Sequence, residues 1–228
     1  MNKIKDVENY LKNLLFSGEI TIEELENLSV RLRDELKQPK KKNTSSFSEV
    51  EVGWYAFAGG KFSPDSDAYP NCQGVVGWVN PDKNAPEGQR GLIITPDEVE
   101  MMWSDKHCET NIKDEYDGKG NTKELIAYGK AHDIAFPAAE WCAQYSKNGV
   151  NPGEGFMPAS EQLKRIVANR KIVNPALQKI GGIILDGWIW SSSEYTPNYA
   201  WNVYAGNGTV DWYTKDDYDD YVRCVLAF

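Results

Sequence analysis

DWYTKDDYDDYVRCVLAF, residues 211–228, is the passage on which the reading of the fold turns. Its last seven residues, Val222 to Phe228, read as a buried strand. The stretch before them, Asp211 to Tyr221, is crowded with Asp and Tyr and holds almost no aliphatic side chain. A hairpin turn takes about two to five residues, usually with Gly or Asn. This segment is longer, more aromatic and more acidic, so turn chemistry alone does not account for it.

Working outward from that passage, WIWSSSEY, YAWNVYA and GTVDWY read as further short strands. Well upstream, EVGWYAFA, CQGVVGWV and GLIIT read the same way, separated by Gly, Pro, Asn and Asp. Residues 96–136 look irregular, apart from a helix from Thr122 to about Ala131 with Asn121 as its cap. Phe136 to Ser146 reads as a helix, with Pro137 near its start and Trp141, Cys142 and Tyr145 on one face. GEGFMPA is a short strand or turn. Ser160 is the expected cap of EQLKRIVANR, whose apolar stripe is Leu163, Ile166 and Val167, and NPALQKIGG continues helically to paired glycines. Strands flank the central helices, so the class is α+β.

Residues 1–37 read as a helical hairpin, with Ile4, Val7, Leu11, Leu14 and Leu15 on one stripe and Ile22, Leu25, Leu28, Leu32 and Leu36 on the next. Ser17 and Gly18 break them, and Thr21 with Glu24 forms a capping box. Two such short helices leave their stripes exposed, so they must pack on the main domain or on copies of themselves. The spacing resembles the short SHOCT-type hairpin, which implies assembly into a homo-oligomer. Residues 38–49 are linker by composition, and residues 50–228 form the main domain.

The chain has 228 residues, 41% of them hydrophobic and 12% aromatic, enough for one substantial core. A net charge of −9 disfavours a nucleic-acid partner. The opening MNKIKDVENYLKNLLF lacks the continuous apolar region of a signal peptide, and no run suits membrane insertion. The cytoplasm, or a particle assembled there, is the expected location. Cys72, Cys108, Cys142 and Cys224 show no CxxC spacing and are expected as buried free thiols, with any pairing left open.

Catalytic chemistry finds little footing. His107 and His132 stand in no metal-ligand spacing. No GxSxG, HExxH or phosphate loop occurs. DEYDGKGNTKE looks faintly like a calcium loop, but Lys119 and the missing closing Glu argue against it. No catalytic residue, metal or cofactor is therefore expected. Trp54, Trp78, Trp141, Trp188, Trp190 and Trp201 could line a sugar platform, although core packing is the expected role of most.

The words DGKGNT, AAEWCAQY, GFMPASEQL, WSSSEY, YAW and YVRCVLAF, in that order after an early Gly-Val-Val, resemble C-type-lectin-fold domains of the formylglycine-generating-enzyme type. Within that group the chain looks most like the variable proteins of diversity-generating retroelements, over roughly residues 50–228. The resemblance implies a non-enzymatic binding domain whose C-terminal codons are randomised at template adenines. Codons of the form AAC, varied at their first two bases, never give Trp, Lys, Glu, Gln or Met. Between Tyr195 and Tyr221 only Trp201, Trp212 and Lys215 lie outside that reachable set. The resemblance thus implies scaffold at Trp190, Trp201, Trp212, Lys215 and Arg223. It implies a variable surface at Tyr195, Asn198, Tyr199, Asn202, Tyr204, Ala205, Asn207, Asp211, Tyr213, Asp216, Asp217, Tyr218 and Asp219. Tyr supplies rigid amphipathic contact area there, and Asn and Asp supply adaptable hydrogen bonds, as in antibody loops. The implied partner is a protein ligand or cell-surface receptor, and an acidic surface suits a basic epitope. Two alternatives are open: a fixed-specificity lectin or adhesin domain, and an enzyme of the formylglycine-generating type, which would need Cys142 and Cys224 adjacent and exposed.

Overall fold

The computed structural model describes Thr21, residues 49–217 and residues 220–228. The chain divides into two units, Met1–Asn43 and Thr44–Phe228. The expected helical hairpin, nearly all of the linker, Tyr218 and Asp219 lie outside the described residues.

Eight strands and four helices make up the described domain: β1 (Tyr55–Phe57), β2 (Lys61–Ser63), β3 (Cys72–Val79), β4 (Gly91–Glu100), α1 (Gly118–His132), α2 (Pro137–Gln144), α3 (Ser160–Ala168), α4 (Arg170–Lys179), β5 (Trp188–Glu194), β6 (Tyr199–Tyr204), β7 (Val210–Thr214) and β8 (Tyr221–Ala227). All eight strands join one sheet in the order β2-β1-β3-β4-β8-β5-β6-β7. The class is α+β, as the pattern of elements requires. Every pairing is antiparallel except β5 with β8, where Ile189 stands opposite Tyr221.

The last strand in sequence therefore sits in the middle of the sheet. Its composition explains why: Val222 through Leu226 are all buried, which a strand covered on both faces demands. Alternate residues serve two cores. Val222, Cys224 and Leu226 pack with Leu125 of α1 and with Ala138, Ala139 and Cys142 of α2. Val225 packs with Leu163, Ile166 and Val167 of α3 and with Val173 and Leu177 of α4. Arg223 shares the second face. Its guanidinium is buried, donates to the carbonyls of Thr95 and Ile183, and meets Glu98 at 3.4 Å. Burial pulls its pKa below the ordinary arginine range.

Several local boundaries differ from those expected. EVGWYAFA contributes only β1, and β2 follows it as a hairpin partner. β4 runs on through Pro96 to Glu100, with an irregularity between Ile94 and Glu98 that accommodates the proline. α1 starts at Gly118, capped by Asp117, whose carboxylate accepts from the Gly120 N–H at 2.8 Å. Asn121 is no cap; it lies inside the first turn and donates to the Asp114 carbonyl and the Ser192 hydroxyl. Ser160 is likewise the first helical residue rather than the cap, which is Ala159. The satisfying group is Gln162, whose Oε1 accepts from Ala159 N–H and from Gly118 N–H, both at 3.0 Å, tying the start of α3 to the start of α1. GEGFMPA supplies a single bridge, Phe156 with Val225. Trp103 and Trp190 are fully buried; Trp54, Trp78, Trp141, Trp188 and Trp201 are partly so.

β3 and β4 approach each other closely at Gly74, where an added Cβ would lie 2.1 Å from the Ile94 carbonyl oxygen. Gly74→Ala is expected to lower stability by about 1–3 kcal/mol, since backbone must shift to admit the methyl. Urea unfolding followed by tryptophan fluorescence checks this; an unchanged midpoint would contradict it.

Candidate functional site

The C-terminal strands β5, β6 and β7 form one end of the sheet, with β7 as its edge. In register, Trp201 faces Trp212, Tyr199 faces Thr214 and Val203 faces Val210; Asn202 faces Asp211 and Ala200 faces Tyr213. Opposed residues share a face, so this end has two surfaces. One carries an aromatic cluster: the Tyr195 ring lies 4.3 Å from Trp201 and 6.0 Å from Trp212, and Tyr199 lies 4.5 Å from Trp212. The other carries Asn202, Tyr204, Asp211 and Tyr213, with Trp188 5.2 Å from Tyr204.

A buried ion pair pins this end to the rest of the domain. Lys215 and Glu194 are completely enclosed and meet at 2.6 Å. The ammonium also donates to the Cys108 carbonyl and lies 4.6 Å from the centre of the Trp103 ring. The carboxylate accepts from the N–H groups of Thr110 and Asn111 and from the Thr110 hydroxyl. Every charge in the pair is thus met by several partners, the condition under which a buried pair is tolerated. Burial lowers the Lys215 pKa, and the Glu194 carboxylate opposes that shift. The Lys215 carbonyl accepts from Trp103 and Ser104, and its N–H donates to the Asn198 carbonyl, so the backbone after β7 is fixed as well.

Ser191, Ser192 and Ser193 form a second anchor that the sequence reading passed over. All three are fully buried in an irregular stretch of β5. Ser191 donates to the Trp201 carbonyl, and its own carbonyl accepts from the Trp103 indole. Ser192 N–H donates to the Pro158 carbonyl. Ser193 donates to the Asp114 carbonyl and accepts from Ser160 N–H. A run of three hydroxyl residues inside an otherwise apolar strand is the signal: such groups are buried only when hydrogen-bonded.

The expected surface residues separate into three groups. Tyr195, Asn198, Asn207, Asp211, Tyr213 and Asp216 are exposed, and Tyr199, Tyr204 and Asp217 are partly exposed. Ala205 is a correction: it is fully buried beside Val203 in the second core and offers no surface. Asn202 is only 3% exposed, and its amide donates to Asp220 at 2.6 Å. Tyr218 and Asp219 lie outside the described residues. Among the expected scaffold, Trp190, Lys215 and Arg223 are fully buried. Trp212, also expected as scaffold, is 43% exposed, because it stands on the edge strand beyond the reach of the helices that cover Val203. Asp216 is held in place by the Thr214 hydroxyl at 2.7 Å and by His107 at 3.1 Å; the same two contacts, Thr214 first, lower its pKa.

Between the strands on the second surface lies a cleft of about 400 Å³, lined by Trp188, Asn202, Asp211, Trp212, Tyr213 and Asp220. Cys142 and Cys224 are adjacent but fully enclosed, each thiol donating to a carbonyl of the other's strand or helix. Burial pushes the Cys142 thiol well up, away from the reactive thiolate. Among the described residues no cluster of His, Cys, Asp and Glu is arranged to hold a metal ion, and no helix is long and apolar enough to cross a membrane.

No family model matches the chain, and no curated protein matches it significantly. Among solved structures, the chain is similar to a fimbrial protein from Bacteroides ovatus ATCC 8483, with a TM-score of 0.60 and 18% sequence identity over 78% of this chain. The match spans 49% of that protein, so this chain corresponds to about half of it. At that identity the likeness is one of fold.

Two expectations follow from the anchors. Lys215→Met leaves a buried carboxylate without its cation and should lower stability by about 3–5 kcal/mol, while adding Glu194→Gln should recover part of the loss. Chemical denaturation of the single and double variants measures this; purely additive losses would contradict it. A thiol reagent should modify Cys72 and Cys108, which are partly exposed, and leave Cys142 and Cys224 untouched until the chain unfolds. Rapid labelling of Cys142 or Cys224 in the folded protein would contradict their enclosure.

Proposed function

We propose that this domain is a non-enzymatic binding protein of C-type-lectin type, displaying a diversified C-terminal surface in the manner of retroelement variable proteins. The observation that carries the reading is the separation of roles between residues 194 and 217. Exposed Tyr, Asn and Asp side chains hang on a backbone fixed by the enclosed Lys215–Glu194 pair. Side chains on such a frame can change without moving it, which is what a diversified surface requires. Lys215 belongs to the residues that adenine-directed codon change cannot produce, and it is the one on which the frame rests. The exposed Tyr195, Trp212 and Tyr213 supply the aromatic contact area typical of binding hot spots.

The partner in this reading is a protein ligand or cell-surface receptor. Identical sites gathered through residues 1–37 would gain avidity, and the carrier is a phage particle or a bacterial cell. A second reading has its own support. The fold likeness to a structure described as a fimbrial protein fits an adhesin-type domain of fixed specificity.

The gene's 3′ neighbourhood separates the two. We expect a near-copy of the segment coding residues 195–228 beside a reverse-transcriptase gene, with differences confined to adenines of the copy. Absence of both would overturn the diversified reading and leave the fixed-specificity one.

A further inference from the structure

We propose that the cleft between β5, β6 and β7 receives the cationic side chain, lysine or arginine, of a protein partner. The inference rests on the reading of this end of the sheet as a binding surface, and it names the chemistry of one subsite.

The first observation is an acceptor left unused. Asn202 is 3% exposed, yet its Oδ1 accepts no hydrogen bond, while its amide nitrogen donates to Asp220 at 2.6 Å. Buried polar atoms are almost always satisfied, so an orphan acceptor on a residue lining a cleft marks a place where a donor is missing. The second observation is what surrounds it. Asp211 stands directly opposite Asn202 in the strand register, is exposed, and has no ion-pair partner among the described residues. Asp220, 4% exposed, places a second carboxylate in the lining. The remaining lining residues are Trp188, Trp212 and Tyr213, and no lysine, arginine or histidine is among them.

An amide oxygen that lacks a donor, beside two carboxylates and aromatic rings, selects for a positive charge that also carries hydrogen-bond donors. Carboxylates supply the Coulomb attraction and ring faces supply cation–π attraction. The amide oxygen supplies a directed acceptor that water meets less well in a confined site. An anionic or purely apolar ligand would bring nothing to the Asn202 oxygen and would be repelled by, or would desolvate, the carboxylates. A volume of about 400 Å³ sits at the lower end of the roughly 300–1,000 Å³ found for small-ligand sites. That suits one long side chain. The occupant is attached to a protein because the exposed ring of Tyr213, at 39%, flanks the cleft and extends the contact beyond it. The net charge of −9 favours approach of a basic partner.

The experiment uses the isotope-labelled full chain and three soluble probes: N-acetyl-arginine amide, N-acetyl-lysine amide, and N-acetyl-citrulline amide as the neutral isostere of the first. The side-chain amide resonances of Asn202 and the indole resonance of Trp188 report the cleft. We expect saturable shifts at these two residues with arginine or lysine, and binding at least about tenfold weaker with citrulline. Asp211→Asn, at an exposed position that leaves the core intact, should weaken cation binding several-fold and reduce its salt dependence. Equal shifts with arginine and citrulline, no shifts at the cleft, or no effect of Asp211→Asn on cation binding would each overturn the proposal. A near-copy of the 3′ segment found alongside such a failure would leave the diversified-surface reading standing, so the two can fall separately.

Discussion

A single enclosed salt bridge governs the C-terminal end of this molecule. Lys215 and Glu194 lie on segments twenty-one residues apart in sequence, and their contact closes the β5–β7 unit onto the loop that carries Thr110 and Asn111. Enclosing two charges is unfavourable unless every remaining donor and acceptor finds a partner. Here the carboxylate collects two backbone N–H groups and a hydroxyl, and the ammonium collects a carbonyl and the face of Trp103. The arrangement tolerates one geometry, and that geometry sets where β7 ends and where the exposed segment after it begins. A hydrophobic plug could have filled the same space, but it would not have dictated the path of the backbone so narrowly.

The physical division of labour follows from this. Hydroxyls of Ser191 to Ser193 stitch β5 to the starts of α1 and α3. Arg223 ties β8 to the carbonyls of Thr95 and Ile183. Buried polar residues thus make the cross-connections, while the apolar residues fill two cores on opposite faces of the sheet. The exposed side chains of β6 and β7 add little to either, which is why this edge can carry a binding surface without weakening the body of the domain.

Much of this was readable in the sequence. The runs CQGVVGWV, WIWSSSE and YVRCVLA declared β3, β5 and β8 because alternation and β-branched content leave few other options. Lys215 stood out as a residue that the reachable codons exclude. The errors have physical causes. Helix starts were assigned to Asn121 and Ser160 on side-chain preference, whereas Asp117 and Gln162 satisfy those N–H groups through contacts that depend on neighbouring elements. Ala205 ends the strand run YAWNVYA and is placed on the variable surface by the resemblance alone, yet it is enclosed with Val203 in the second core. The exposure of Trp212 depends on β7 being an edge, and strand order is not written in local periodicity. The pairing of β8 between β4 and β5 was equally invisible, since it is a property of topology.

That placement of β8 has a genetic corollary. The sheet consists of a leading half, β2-β1-β3-β4, and a trailing half, β5-β6-β7, and the strand order joins them only through β8. The joining strand is encoded after the exposed segment. A stop codon or frameshift arising anywhere between residues 195 and 221 would delete or scramble it and leave the two halves unsealed, whereas a missense change there would leave it intact. A chain cut short in this stretch lacks the strand that joins the two halves, and a chain with a single substitution there keeps it. Closure of the sheet thus depends on an intact reading frame through the segment that precedes its central strand.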